Sequence, residues 1–276
     1  MDEVNTVAPQ SKRKLSAKRL LALVAIGLAA INIAQYAKGA LAERVFAAER
    51  RAMLSPQATI DRFHVLFYNS SQTIGRNRWM GIPTEQNPND VWITQEILFE
   101  VKPDFVVEAG AYMGGSAVLW AMILREVNPA GRVITIDIED RLREAKELPI
   151  FKESVEFILG SSTAPEIVKQ VKDRVAGHRV VLILDSNHRK DHVLKELRAY
   201  ADIVEPGSYI IVQDSNINGH PVDIDPNGPA AYYAGQPGPM EAIEEFLPLD
   251  KRFVVDLTRE RLLVTMNPKG FLRRVH

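Results

Sequence analysis

Short, continuously apolar runs recur along the chain from about residue 105 onward, separated by segments of helical or turn-forming composition. Five of them, "FVVEAG", "RVITIDI", "VEFILG", "RVVLILD" and "GSYIIVQD", are typical of buried strands, and we number them the first to fifth predicted strands. Continuous apolar strands that alternate with helices predict a parallel sheet covered by helices on both faces. The segments "GPMEAIEEFL", "FVVDLT" and "RLLVTM" predict a closing helix and two more strands. The expected fold is therefore α/β: a Rossmann-like, doubly wound sheet, mostly parallel, with an antiparallel C-terminal strand.

The first 90 residues follow a different pattern. Residues 1–19 form a polar, basic tail, residues 20–37 are almost entirely apolar, and residues 38–90 predict a cap of helices and loops before the domain at 91–276. A helix of about 18 residues rises about 27 Å, just enough to cross the hydrocarbon core of a bilayer. We therefore expect a transmembrane or membrane-anchor helix at 20–37. A cleavable signal peptide and a buried or interfacial helix are the alternatives.

Composition narrows the classes of function. The chain has 276 residues, a formal net charge of −1 and no cysteine. The near-neutral charge argues against a nucleic-acid-binding surface, which usually makes a domain basic. Disulfides, thiolate metal sites and a cysteine nucleophile are excluded.

Acidic residues stand at the carboxyl ends of most of the predicted strands. Glu108 ends the first strand, Asp137 the second, Asp185 the fourth and Asp214 the fifth, while the third ends in the turn Gly160–Ser161–Ser162. In open α/β sheets, ligands bind in the crevice beyond these strand ends. Acids that converge there predict a site, whereas an isolated acid is typical of a helix cap or a solvated loop.

A glycine-rich turn, "VVEAGAYMGGSAVLWA", links the first strand to its helix. Its spacing is neither the dinucleotide GxGxxG pattern nor a phosphate-binding P-loop, which argues against a nicotinamide oxidoreductase. Gly110 permits a tight turn, and Gly114 and Gly115 open a helix whose amides can bind an anion such as a carboxylate. Asp137, about one βα unit later, suits a ribose diol. The pattern predicts a nucleoside with an amino-acid tail, S-adenosylmethionine (SAM); a packing turn without a ligand is the alternative.

Several motifs, in order, resemble the cephalosporin hydroxylase family. They are "WMGIP", "DVWITQEILFEVKPDFVVEAGAYMGGSA", "GSSTAPEIV", "LILDSNHRKDHVLKELRAYADIVEPGSYIIVQD", "PGPMEAIEEF" and "LLVTMNPKGFLRR". Members of this family are similar to SAM-dependent O-methyltransferases that act on cephalosporin or rhamnose-type hydroxyls. The resemblance implies a methyltransferase sheet, SAM as cofactor and a small hydroxylated acceptor, such as a sugar, either free or lipid-linked.

The resemblance also implies roles for individual residues. Asp185 and the pair at the end of the fifth strand would hold Mg²⁺ or another divalent cation, and His188 would be the general base. Glu108 and Gly110 would border the methionine part, Asp137 would bind the ribose, and Ser161 or Ser162 would contact the adenine. The full cofactor set predicted on this basis is Glu108, Gly110, Ala111, Gly114, Gly115, Ser116, Asp137, Ser161 and Ser162.

One position departs from the family pattern. The pair that ends the fifth strand is usually Glu-Asp in the family, and here it is Gln213–Asp214. A glutamine carbonyl can ligate a hard cation but carries no charge, so we expect Gln213 to be a weak metal ligand and Gln213→Glu to tighten Mg²⁺ binding. The departure also raises an alternative function, a membrane-tethered, non-catalytic subunit that keeps the fold.

The remaining expectations concern the surroundings of the site. His192 is typical of a helix face behind the site, and Tyr232 and Tyr233 could either stack on a sugar ring or pack within the protein. We expect a homo-oligomer or a subunit of a membrane complex. SAM is made and kept in the cytoplasm, so the catalytic domain of a membrane-anchored enzyme is expected on that side.

Overall fold

The structure is a computed structural model, which describes residues 17–53, 55–70, 72–73, 75–228 and 231–276. Most of the predicted polar tail therefore lies outside the described residues. The chain divides into two compact units, Met1–Thr59 and Ile60–His276. The boundary falls inside the predicted cap region at 38–90.

The first unit is dominated by a single helix, α1, at Ala17–Met53. Among the described residues, no helix is long and apolar enough to cross a membrane. The segment predicted at 20–37 lies within α1, but part of it falls outside the described side chains, so its role as a membrane anchor stays a prediction. The side chains of residues 17–20 and 22–24 lie outside the described part.

The second unit contains the predicted sheet. The helices are α2 Pro56–Asn69, which begins in the first unit, α3 Pro88–Val101, α4 Gly115–Val127, α5 Pro149–Ser154, α6 Pro165–Val175, α7 Lys190–Tyr200 and α8 Pro239–Leu249. The strands are β1 Arg78–Trp79, β2 Ile82–Pro83, β3 Phe105–Ala109, β4 Arg132–Asp137, β5 Val155–Leu159, β6 Val180–Leu184, β7 Tyr209–Val212, β8 Phe253–Val255 and β9 Phe271–Arg274.

In the described part of the chain, seven strands form one sheet in the order β5-β4-β3-β6-β7-β9-β8. The first five of these in chain order, β3 to β7, correspond to the five predicted strands and pair in parallel. Strand β9 pairs antiparallel with β7 and β8. The mostly parallel α/β sheet with an antiparallel C-terminal strand is therefore confirmed.

One predicted strand is wrong. The segment "RLLVTM" at 261–266 forms turns, and the strand at this end of the chain is β9 instead. Asp90, at the start of α3, accepts hydrogen bonds from Thr265 Oγ1 at 2.5 Å and from the Met266 N–H at 2.8 Å. The polar groups of this segment are thus bound to a side chain rather than to a neighbouring strand.

Apolar side chains fill both faces of the sheet. One buried cluster joins the strands to α6, α7 and α8, and another joins them to α3, α4 and α5. Successive strand residues alternate between the faces, so Val107 and Ala109 belong to the first cluster and Val106 to the second. This double covering holds the carboxyl ends of β3, β4, β6 and β7 at one edge.

Candidate active site

A cavity of about 430 Å³ opens at the carboxyl edge of the sheet. Ten of the residues predicted from the sequence line it: Gly110, Ala111, Gly115, Ser116, Asp137, Ser161, Ser162, Asp185, His188 and Asp214. As the structure describes this cavity, Glu108, Gly114 and Gln213 are not on its wall. Strand-end residues far apart in the sequence thus share one space, as the parallel topology predicted.

The glycine turn is shaped by close contacts with the protein itself. Gly110 has φ +101°, and a Cβ there would lie 2.0 Å from the backbone oxygen of Asp185. A Cβ on Gly115 would lie 1.9 Å from Thr84 Oγ1. Gly114, at φ +84°, packs against Ala145, away from the cavity wall. The glycines let β3 and α4 approach their neighbours, and Gly110 and Gly115 also border the cavity.

Glu108 lies behind the turn rather than on the cavity wall. It is fully buried, and its carboxylate accepts hydrogen bonds from Trp120 Nε1 at 2.9 Å and from Thr135 Oγ1 at 2.6 Å. Burial raises the pKa of this carboxyl group. Because Trp120 belongs to α4 and Thr135 to β4, the carboxylate ties the helix to the sheet. The contact with methionine predicted for Glu108 stays a prediction.

Asp137 lines the cavity at the end of β4. Its two oxygens accept backbone hydrogen bonds, from Tyr112 at 2.9 Å and from Glu139 at 3.0 Å. A carboxylate has about four lone-pair positions, so acceptor capacity is left for a ligand diol. The backbone bonds fix the direction of the carboxylate.

A buried polar cluster, which we call the Glu196 cluster, stands behind the turn after β5. Ser162 Oγ and Ser186 Oγ donate to Glu196 Oε1, the latter at 2.6 Å, and His192 Nε2 lies 3.2 Å from Ser162 Oγ. Glu196 Oε2 is buried and has no hydrogen-bond partner among the described residues. His192, Ser162 and Ser186 of this cluster also line the cavity, so His192 lies on its wall rather than behind it. Glu196, inside the helical pattern of α7, gave no local indication of a role.

Three further residues of the cavity wall, which we call the metal-binding constellation, could hold a metal ion. Asp185, His188 and Asp214 each present a ligand atom, and these atoms all lie within 4.8 Å of one another. His188 Nε2 is 3.2 Å from Asp214 Oδ2. Burial, followed by the charge of Asp214, raises the pKa of Asp185, and burial also raises the pKa of Asp214 against the opposing effect of His188. Two carboxylates that repel each other at close range, with an imidazole beside them, suit a hard divalent cation.

Gln213 does not point into this constellation. Its Nε2 donates to Gln86 Oε1 at 3.0 Å, and Gln86 Nε2 donates to Asp185 Oδ2 at 2.8 Å. The Gln213 side chain thus binds a neighbouring amide in this structure, and its role as a metal ligand stays a prediction. Gln86 went unnoticed in the sequence, since "TEQNPND" has the composition of an ordinary loop.

Aromatic and acidic side chains from outside the strand ends complete the cavity wall. Tyr68, Glu85 and Tyr233 line it beside His188, and the rings of Tyr233 and His188 are 5.2 Å apart. Burial, and then the charge of Asp214, raises the pKa of Tyr68 and of Glu85. The Arg189 guanidinium stands 5.1 Å from the centre of the Tyr232 ring. Tyr68 and Glu85 come from segments predicted as a helix and a loop, where nothing local marked them.

The fold and the site together define a Rossmann-like methyltransferase. The chain belongs to the Rhamnosyl O-methyltransferase/CmcI family, whose model matches residues 71–275. This match confirms the resemblance found in the sequence motifs.

Relatives of known function support the same assignment. A rhamnosyl O-methyltransferase of Mycobacterium bovis (strain BCG / Pasteur 1173P2) is 35% identical over 223 residues, which cover 79% of this chain and 85% of the relative. A protein of the same name from Mycobacterium leprae (strain TN) is 33% identical over 219 residues, or 78% of this chain and 90% of the relative.

Solved structures share the fold. A CmcI structure with Mg and SAM has a TM-score of 0.55 at 19% identity and covers 73% of this chain and 78% of its own. The CmcI apo-structure has a TM-score of 0.53 at 20% identity, covering 73% of this chain and 77% of its own.

Proposed function

We propose that this protein is a SAM-dependent O-methyltransferase that uses Mg²⁺ or a similar cation and methylates a hydroxyl of a sugar or another polyhydroxylated acceptor. One observation carries the proposal: the glycine turn, Asp137 and the constellation of Asp185, His188 and Asp214 open into the same cavity. The mycobacterial relatives are named for methylation of a rhamnosyl hydroxyl, which supports a sugar acceptor.

The cofactor half of the cavity has the polarity that SAM requires. Gly110, Gly115 and Ser116 border the start of α4, where free backbone amides favour a carboxylate. Asp137 offers acceptors for the ribose hydroxyls, and Ser161 and Ser162 offer hydroxyl groups to the adenine. The methyl group would then face the metal-binding constellation.

The other half has the groups that a hydroxyl acceptor needs. Asp185 and Asp214 would hold the cation. The cation would lower the pKa of a hydroxyl group bound to it and fix the position of that group. His188 Nε2 would take the hydroxyl proton. Methyl transfer would form a bond from the hydroxyl oxygen to the methyl carbon and break the carbon–sulfur bond of SAM, which would leave S-adenosylhomocysteine (SAH). Because the sulfonium is a good leaving group, the protein's main task is alignment of the two reactants.

The acceptor would lie against Tyr68, Glu85 and Tyr233. Aromatic faces suit the apolar faces of a sugar ring, and the carboxylate can accept a second hydroxyl. Both a free and a lipid-linked sugar satisfy this chemistry. A domain on the cytoplasmic side, where SAM is made, and a homo-oligomeric state are further parts of the proposal.

The direct test is methyl transfer by the purified full chain. With SAM, Mg²⁺ and a rhamnosyl glycoside, we expect stoichiometric SAH formation and an acceptor heavier by one methylene group, measured by mass spectrometry. His188→Gln should abolish turnover while SAH still binds in calorimetry. Binding of SAH and Mg²⁺ without transfer to any sugar acceptor would instead favour the non-catalytic subunit.

A further inference from the structure

Two buried glutamines connect the end of β7 to the metal-binding constellation. Gln213 and Gln86 are only 4% and 5% exposed. Gln213 Nε2 donates to Gln86 Oε1 at 3.0 Å, and Gln86 Nε2 donates to Asp185 Oδ2 at 2.8 Å. Together the three side chains form a continuous row of hydrogen bonds that ends on a carboxylate.

Binding of a cation by Asp185 decides the direction of this row. A carboxylate that ligates a cation is ionised and can only accept, so Gln86 must then present its NH₂ group to Asp185, as it does in this structure. Its carbonyl then faces Gln213 and requires a donor there. An amide at position 213 supplies that donor, whereas a carboxylate does not.

The backbone of Gln86 is held independently of this row. Asn77 Nδ2 donates to the Gln86 carbonyl at 3.0 Å, and the next residue, Asn87, caps α3 by accepting from the Asn89 N–H at 3.1 Å. Gln86 therefore reaches Asp185 from an anchored loop. An anchored donor of this kind restricts the rotation of the carboxylate that it contacts.

We propose that Gln86 is a positioning residue that orients Asp185 for the cation, and that Gln213 in turn orients Gln86. This inference rests on the proposed function, because it assigns Asp185 to a metal. It gives the glutamine at 213 a role of its own: the residue is the terminal donor of the row.

The rival interpretation makes position 213 a direct but weakened metal ligand. The two interpretations give opposite results for Gln213→Glu. A direct ligand that gains a charge should bind Mg²⁺ more tightly. In the glutamine row, the carboxylate introduced by Gln213→Glu would accept a hydrogen bond from the Gln86 NH₂ group. The Gln86 carbonyl would then face the Asp185 carboxylate and repel it. Mg²⁺ binding should therefore weaken.

The experiment is a calorimetric titration of Mg²⁺ into the full chain saturated with SAH. Gln86→Met keeps the side-chain length but removes the donor, and we expect Mg²⁺ affinity about 10- to 100-fold lower, the usual effect of losing a partner of a metal ligand. SAH affinity, measured separately, should change by less than about twofold, because the hydrogen bonds of Gln86 and Gln213 go to each other and to the Asp185 carboxylate rather than to the glycine turn. Gln170→Met, on the exposed face of α6, is the matched control and should leave both affinities at the wild-type value.

A double variant adds a second criterion, and thermal melting establishes that each variant is folded. If the row exists, Gln213→Glu should weaken Mg²⁺ binding in the wild-type background and have little further effect once Gln86 is replaced by Met. If Gln86→Met binds Mg²⁺ with wild-type affinity, or if Gln213→Glu binds it more tightly, the positioning role of the two glutamines is wrong, while the proposed function is unaffected. A wild-type chain that binds SAH but no Mg²⁺ overturns the metal-dependent part of the proposed function together with the row.

Discussion

The backbone N–H of Asp214 donates to Asn267 Oδ1 at 3.1 Å. Asp214 has φ +54°, a left-handed conformation that costs an L-residue about 1–2 kcal/mol. Asn267 is fully buried, and its own N–H donates to Thr265 Oγ1 at 2.9 Å. The loop before β9 therefore holds a metal-site residue in an unfavourable backbone conformation.

Asn267→Ala should destabilise both the fold and the metal site. The Asp214 N–H loses its acceptor, so we expect the free energy of unfolding to fall by about 1–3 kcal/mol in chemical denaturation. Mg²⁺ affinity should fall as well, because Asp214 is no longer held in place. Asn227→Ala, at an exposed position, is the control; equal effects of the two variants would contradict the relationship.

Gly110→Ala should be far more damaging than a glycine substitution elsewhere with the same backbone strain. Gly110 and Gly177 have φ +101° and +77°, but only at Gly110 would a Cβ strike another part of the chain, 2.0 Å from the Asp185 oxygen. Gly177→Ala should cost only the left-handed strain of about 1–2 kcal/mol. Gly110→Ala should cost more and also weaken SAH binding, as measured by denaturation and calorimetry. If the two variants were equally stable, the contact between the turn and the end of β6 would not be tight.

Asp137→Ala should weaken cofactor binding. Loss of hydrogen bonds from the ribose hydroxyls to a charged group costs about 1.5–3 kcal/mol, which corresponds to an SAH affinity lower by about one to two orders of magnitude. Because Asp137 also accepts from the Tyr112 and Glu139 backbone, a melting curve must first show that the variant is folded. Unchanged SAH affinity in a folded variant would remove the ribose assignment.

Asp90 should make the stability of the fold depend on pH. Burial, only partly offset by hydrogen bonds from Thr265 and Met266, raises its pKa from 3.8 to about 7. Between these two values the folded state binds the proton more strongly than the unfolded state does. The free energy of unfolding should therefore decrease as pH rises through this window, with a slope of up to about 1.4 kcal/mol per pH unit, and level off above it.

Asp90→Asn should flatten that dependence. The asparagine amide cannot ionise, so the free energy of unfolding of the Asp90→Asn variant should fall less than that of the wild-type chain between about pH 4 and 7. Asp173→Asn, which removes an exposed carboxylate on α6, is the control and should keep the wild-type slope. Parallel curves for wild type and Asp90→Asn, recorded by denaturation at several pH values, would show that Asp90 is not the group responsible.

The sequence by itself determined the sheet and the residues at its active edge. Strands β3 to β7 correspond to largely apolar runs of the sequence, and Asp137, Asp185 and Asp214 stand at the end of a strand or within two residues of it. Parallel strands point their carboxyl ends to one edge, so local patterns were sufficient to bring these acids, the glycine turn and His188 together.

Only the tertiary structure decided which side chains support that edge. Gln86 meets Asp185 across 99 residues, and Asp90 meets Thr265 across 175 residues. Such contacts cannot be predicted from local periodicity, because the sequence pattern around a polar loop residue is the same whether its side chain faces water or a buried carboxylate. The segment "RLLVTM" has an apolar run that favours a strand, but Thr265 and Met266 donate to Asp90 instead of to a neighbouring strand. The bond from Gln213 to Gln86 is another contact between distant segments. Hydrophobic patterning specifies layers and strand ends, whereas the pairing of buried polar groups depends on which distant segments the packing brings within hydrogen-bond distance.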